Sequence, residues 1–217
     1  MKYILPWRAM RYVSSRFRGL SQRLDALERR VDGNSAVYLG NNRLLMRCVV
    51  EERTIAYILH ADDLLFTPWM VVTGKYEVAL ARYFSSNLRP DSHCLDVGAN
   101  FGFFTCLMAR FCGEGRVIGV EPEPDSFGLL RDNVAINGLY PLATAVHAAA
   151  GEQPGTLTLH KRQTRSGNTS VARPDPGFVA ALGEEPTASF EVPCTTIDAR
   201  ARDLGGRPRA LLIRRAR

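Results

Sequence analysis

Cys94-Leu-Asp96-Val-Gly98-Ala-Asn100-Phe-Gly102-Phe-Phe-Thr105, followed after a helix-like run by Arg116-Val-Ile-Gly-Val-Glu121-Pro122, decides how this chain folds. An apolar strand ends on an acid and a glycine-rich turn. A helix follows, and a second apolar strand ends on another acid. That order sets the ends of two neighbouring parallel strands side by side with the turn between them. In open α/β sheets this is the crevice that takes nucleoside-bearing ligands.

Each residue of the stretch has a physical task. Gly98 and Gly102 let the backbone turn tightly and approach a ligand where a Cβ would collide. Ala99 and Asn100 lie between them in the turn. The helix starting near Phe103 directs its unpaired N–H groups into the same crevice. Glu121 lies nineteen positions after Gly102, where a carboxylate accepts hydrogen bonds from both ribose hydroxyls of an adenosine, and Pro122 follows it. Asp96 sits beside the turn, placed either to hold a cationic group or to order the loop.

The turn also discriminates between cofactors. A dinucleotide fingerprint reads G-x-G-x-x-G, with bare glycine facing the pyrophosphate. Here Asn100 occupies the middle glycine position, and Asp96 is a poor neighbour for phosphate. S-adenosylmethionine carries no phosphate. Its sulfonium and α-ammonium prefer carboxylates and carbonyls. The residues therefore favour a methyl donor over NAD, with a dinucleotide-dependent oxidoreductase as the competing class.

Asp96-Val-Gly-Ala-Asn-Phe-Gly-Phe-Phe-Thr105, Val120-Glu-Pro-Glu-Pro124, Leu130-Arg-Asp-Asn133 and Ile136-Asn-Gly-Leu139 together resemble the FkbM family of S-adenosylmethionine-dependent methyltransferases. Weaker echoes are Gly74-Lys-Tyr-Glu77, Ala149-Ala-Gly-Glu152 with Gly155-Thr-Leu-Thr-Leu159, and Val192-Pro-Cys-Thr-Thr-Ile-Asp198. The resemblance runs from about Val37 to the C-terminus. It implies a Rossmann-like class I methyltransferase fold, a mostly parallel sheet with flanking helices. It also implies that Asp96, Gly98, Asn100 and Gly102 form the donor loop and that Glu121 binds ribose. The expected reaction is O-methylation of a sugar or natural-product hydroxyl. By the same analogy Glu77 reaches the donor's polar end, although a solvated charge at a helix N-terminus explains it equally well.

The resemblance fails at the tail. After Asp198 the family has a strand reading roughly L-I-K-I-D-x-E-G-x-E. This chain reads Arg209-Ala-Leu-Leu-Ile213-Arg-Arg-Ala-Arg217. Basic residues stand where acceptor-side carboxylates are expected, and the terminal strands of the sheet are expected to be missing. A frameshift or truncated gene is the simplest account, and an open frame continuing normally at the locus would remove it. The resulting alternative function is a non-catalytic remnant that retains cofactor affinity. No catalytic base is assigned. Asp198 is a structural or acceptor-side candidate. His147, near the end of the third core strand, is either a base or a packed histidine.

At 217 residues and 46% hydrophobic, the chain can bury one full core. Net charge is +6, concentrated at the ends: the first 30 residues hold eight Lys or Arg against two acids, and the last 18 hold seven Arg against one Asp. No aromatic-interleaved basic patch points to specific nucleic-acid readout. The five cysteines lack a C-x-x-C and fit a reduced, cytoplasmic setting. The four histidines, at 60, 93, 147 and 160, are dispersed and show no zinc spacing, so no metal is expected.

Organisation follows from periodicity. Residues 1–34 form a basic N-terminal helix, with Val13, Phe17, Leu20, Leu24, Leu27 and Val31 as its apolar stripe. That stripe packs on the domain, pairs two chains as a homodimer, or rests on a membrane surface. Residues 35–73 form a β-rich flap with an Asn41-Asn42 turn. Residues 74–217 form the methyltransferase domain. It starts with a helix over 77–87, then helices 103–112 and 125–137 alternate with strands 116–120 and 143–149. Strands 155–160 and 189–193 pair antiparallel. The long segment 161–187 covers a small-molecule or glycan acceptor, or is simply disordered.

Overall fold

The computed structural model describes residues 36–64, 66–161, 169–170, 188–206 and 208–213. The expected N-terminal helix and most of the 161–187 segment lie outside these residues.

The chain opens with a three-stranded antiparallel sheet: β1 (Ala36–Gly40), β2 (Arg43–Val50) and β3 (Arg53–His60). Asn41 and Asn42 turn the first hairpin at φ +49° and +59°. Asparagine tolerates this left-handed pair, which two-residue hairpins require. Glu51 and Glu52 turn the second at φ +46° and +63°, positions that glutamate occupies at a cost. Helix α1 (Phe66–Thr73) follows. The sequence reading had no helix there, because its residues are apolar on every side and show no 3.6 period. Its start signals are local: the Phe66 N–H donates to Asp63 Oδ1 at 2.8 Å, and Pro68 sits in the first turn.

Helix α2 (Val78–Asn87) leads into the main sheet. Its strands are β4 (Cys94–Val97), β5 (Val117–Glu121), β6 (Ala143–His147) and β11 (Ala210–Ile213), all parallel, in the order β11-β4-β5-β6. Helices α3 (Phe103–Cys112) and α4 (Pro124–Ile136) make the crossovers. Strand β11 lands on the opposite side of β4 from β5, so the order reverses at β4. That reversal opens the crevice at the strand ends. The anticipated strand 143–149 divides in two. Past His147 the chain leaves the parallel sheet, and β7 (Ala149–Ala150) joins a third sheet with β8 (Gly155–Lys161), β9 (Thr169–Ser170) and β10 (Ala188–Thr195). Within it β8 and β10 pair antiparallel from Lys161↔Ala188 to Gly155↔Cys194.

The parallel sheet has two apolar faces, as crossover sheets must. Cys94 and Val117 pack with α3 and α4. Leu95, Val97, Ile118 and Val120 pack with Leu204, which follows helix α5 (Ile197–Asp203). The flap is fastened to this core by α4. In an antiparallel strand the N–H and C=O of alternate residues point to one side. On the free side of β3, Ile58 N–H donates to Asn133 Oδ1 at 2.6 Å, and Asn133 Nδ2 donates to Ile58 O at 3.0 Å. One turn further, Ala56 N–H donates to Asn137 Oδ1 at 3.1 Å, and Asn137 Nδ2 donates to Ala56 O at 2.7 Å. Four helical residues rise roughly 6 Å and two strand residues roughly 6.8 Å, so two asparagines on one helix face stand in for a further strand. The Arg43–Asp132 ion pair reinforces the join.

Candidate functional site

The loop between β4 and α3 takes its shape from positive φ at three places: Gly98 (+77°), Asn100 (+53°) and Gly102 (+86°). The N–H groups of Gly98 and Ala99 both donate to Val120 O, at 2.9 and 3.0 Å, pinning the turn to the next strand. At Gly102 a Cβ would lie 2.5 Å from Leu130 Cδ1. Side-chain absence therefore seats the start of α3 against α4, in addition to permitting the turn.

Glu121 ends β5 and reaches across to this loop. Its Oε2 accepts the Asn100 N–H at 2.7 Å, and its Oε1 accepts the Glu123 N–H at 2.9 Å. The side chain is buried, and desolvation lifts its pKa to about 7 against the pull of those two N–H groups. The neighbouring carboxylates of Glu123 and Asp96 push the same way. Glu123 caps α4 by accepting the Ser126 N–H at 2.7 Å.

The other residues singled out from the sequence take distinct places. Asp96 is fully buried beneath the loop, where Thr105 Oγ1 donates to its Oδ2 at 2.6 Å; in this position it orders the turn. Pro122 and His147 adjoin Glu121. His147 pairs in register with Glu121, stacks on Phe127 with centroids 4.7 Å apart, and places Nε2 3.1 Å from Pro122 O. A carbonyl only accepts, so Nε2 carries the proton and Nδ1 alone is left to accept one. Glu77 is exposed at φ +41° before α2; its carbonyl accepts the Leu80 and Ala81 N–H groups, while its carboxylate makes no hydrogen bond or ion pair among the described residues. Its neighbour Tyr76 does reach the loop, with ring centroids 6.3 Å from Phe101 and 5.0 Å from Phe103. Asp198 is exposed in the first turn of α5, on the other sheet face from α3. The structure thus gathers Asp96, Gly98, Ala99, Asn100, Gly102, Glu121, Pro122 and His147 at one crevice. It leaves Asp198 apart and Glu77 beside Tyr76.

A small, shallow cleft opens on the flap side of the loop. It is lined by Asn100 and Phe101 from the loop and by His60, Asp63, Phe66 and Thr67 from the end of β3 and the start of α1. Sequence reading passed over these last residues, with His60 one of four scattered histidines. Asp63 followed by Pro68 was the available signal, since the pair marks a helix start that fixes where β3 ends.

The acceptor-rich crevice suits hydroxyls and a cation. Two buried carboxylates flank the loop, Glu121 retains lone pairs beyond its two backbone bonds, and Asn100 takes the place where a pyrophosphate needs bare glycine. The residues present therefore fit S-adenosylmethionine. Among the described residues no group of three His, Cys, Asp or Glu is arranged to hold a metal, and no helix is long and apolar enough to cross a membrane.

Comparison with known proteins identifies the family. The profile of the methyltransferase FkbM domain matches residues 96–212. Methyltransferase sdnD of Sordaria araneosa is 28% identical over 89 residues, 41% of this chain and 34% of that protein. The chain thus spans about a third of that relative's length. Similar solved structures include a putative transferase from Pyrococcus horikoshii (21% identity, TM-score 0.39, 52% of this chain and 38% of that one). Another is M. jannaschii TYW2 in complex with AdoMet (15%, 0.40, 52% and 46%). With more than half of its residues matched, this chain belongs to the FkbM methyltransferase family.

Proposed function

We propose that this chain binds S-adenosylmethionine across the ends of β4 and β5 and directs its methyl group to a hydroxyl on a sugar or natural product. The observation that carries the reading is Glu121: a buried carboxylate, held by the backbone N–H groups of Asn100 and Glu123, at the end of the strand next to the loop. Two fixed N–H donors aim its remaining lone pairs, as recognition of a ribose diol requires. The loop backbone and Gly98 supply close approach, and Asp96 keeps the turn in shape through Thr105. When bound, the cofactor supplies an already activated methyl group. The protein's part is then alignment and removal of the acceptor proton. The five cysteines, all free thiols, support a reducing, cytoplasmic setting.

Calorimetric titration tests the reading. S-adenosylhomocysteine is expected to bind the full chain, and NAD is not. The opposite ranking refutes it. Binding without turnover across a panel of hydroxyl acceptors would instead identify a cofactor-binding protein that has lost the reaction.

A further inference from the structure

Cys94 opens β4 and Cys112 closes α3, and their two sulfurs face each other 3.6 Å apart. A disulfide holds its sulfurs at about 2.05 Å. Closure therefore asks for an approach of roughly 1.6 Å, shared between two side chains. Other buried thiols are differently placed. Burial pushes the Cys48 thiol up to about 12 and lifts Cys106 well above its ordinary value, so both stay protonated. Within the pair, the Cys94 thiol donates toward Cys112. That contact favours the Cys112 thiolate, against burial and the Asp91 charge, and holds the Cys94 proton more firmly. Both sulfurs are buried, yet the surface is close. Gly113 and Glu114, directly after Cys112, are exposed, and the exposed Asp91 carboxylate is near enough to act on the Cys112 thiol. Two hydrogen bonds join these turns, from the Glu114 and Gly115 N–H groups to Pro90 O at 3.0 and 2.8 Å. Exposed turns held by few contacts open locally at low free-energy cost, and such an opening admits a molecule as small as a peroxide.

We propose that Cys94 and Cys112 are a peroxide-sensitive modification site, a dithiol that closes to an intramolecular disulfide and clamps the two ends of the β4–loop–α3 unit. The Cys112 thiolate attacks a peroxide oxygen. An S–O bond forms, the O–O bond breaks, and hydroxide leaves to take the proton that Cys112 gave up, as water. The Cys94 sulfur then attacks the sulfenic sulfur of Cys112. The S–S bond forms, the S–O bond breaks, and the Cys94 proton departs with hydroxide as a second water. Two thiols lose two electrons, and one peroxide is reduced to two waters. Cys94 is the resolving thiol, and its contact with Cys112 spares that residue from sulfinic acid. In a reducing setting the pair rests as thiols and closes only under oxidant. The separation of 18 positions encloses the whole loop from Gly98 to Gly102. A bridge over this length stabilises by restricting the unfolded chain. The loop's own ties, to Val120 O and Glu121, lie at the other end of β4 and are untouched. The bridge therefore forms whether or not the crevice takes a methyl donor.

Peptide mass spectrometry of the full chain tests this. Reduced protein is treated with excess hydrogen peroxide, remaining thiols are blocked with N-ethylmaleimide, and disulfide-linked peptides are assigned by fragmentation. A Cys94–Cys112 link within one chain, reversed by dithiothreitol, is expected as the main product. Oxidation that instead leaves sulfinic acid at Cys112, joins other cysteines or links two chains overturns the proposal, and so does an untouched pair. The Tm of the bridged chain, followed by circular dichroism, should rise by roughly 3–10 °C over the reduced chain. An unchanged or lower Tm refutes the clamp. Cys106→Ala should bridge as the parent does, whereas Cys112→Ala should show neither the link nor the rise. A rise that persists in Cys112→Ala overturns the proposal.

Discussion

Replacing Asn133 with alanine removes three hydrogen bonds at once. Ile58 N–H loses its acceptor, and the carbonyls of Ile58 and Phe101 lose their donor. The amide orientation is not arbitrary: one backbone N–H and two carbonyls surround it, so only one placement of oxygen and nitrogen satisfies all three. Asn133 is fully buried, and water cannot easily replace the lost partners. A stranded buried polar group costs roughly 1–3 kcal/mol. Three such groups in one relaxing site give a loss of about 3–5 kcal/mol, since neighbouring terms do not add fully. Asn137 makes the equivalent bonds to Ala56 but is only half-buried. Its alanine variant should lose about 1–2 kcal/mol. Urea unfolding followed by circular dichroism reads both values. Because Asn133 alone also holds the Phe101 carbonyl, its variant should weaken S-adenosylhomocysteine binding, and the Asn137 variant should not. A loss below about 1 kcal/mol for Asn133→Ala, or a larger loss at Asn137, refutes the view that α4 fastens flap and loop through this residue.

Glu121 makes stability pH-dependent. Burial holds its proton to about pH 7, against an ordinary value of 4.5, so the native state binds more protons than the unfolded chain between these values. The contribution is complete below about pH 4.5 and is lost as pH rises through about 7. At about 1.4 kcal/mol per unit this loss is about 3 kcal/mol. Glu121→Gln cannot ionise, so its stability relative to the parent should climb by that amount between pH 4 and 8; a flat difference in urea midpoints counts against the buried placement. The second flap turn offers a gain: Glu52→Gly relieves a left-handed glutamate at φ +63° and should add about 0.5–1 kcal/mol. That corresponds to a rise of roughly 1–4 °C in Tm, and a lowered Tm contradicts the assigned turn.

Sequence alone determined the parallel core and its loop. Asp96-Val-Gly-Ala-Asn-Phe-Gly102 and Glu121 are read through short-range rules: where a strand must end, where a Cβ cannot fit, where a helix presents its N–H groups. Such rules act within a few residues or across one crossover, so spacing carries them. Helix α3 accordingly spans Phe103–Cys112, the bounds expected from the sequence. What only the tertiary structure decided acts over longer separations. Asn133 finds Ile58 across 75 positions and Phe101 across 32. Its place in Leu130-Arg-Asp-Asn133 marked a family likeness and said nothing of a strand lying against it. His60 and Asn100 share a cleft only because that strand docks there. Periodicity reports which face of an element is apolar. Which partner covers the face, and which polar atoms are thereby trapped together, is settled by packing.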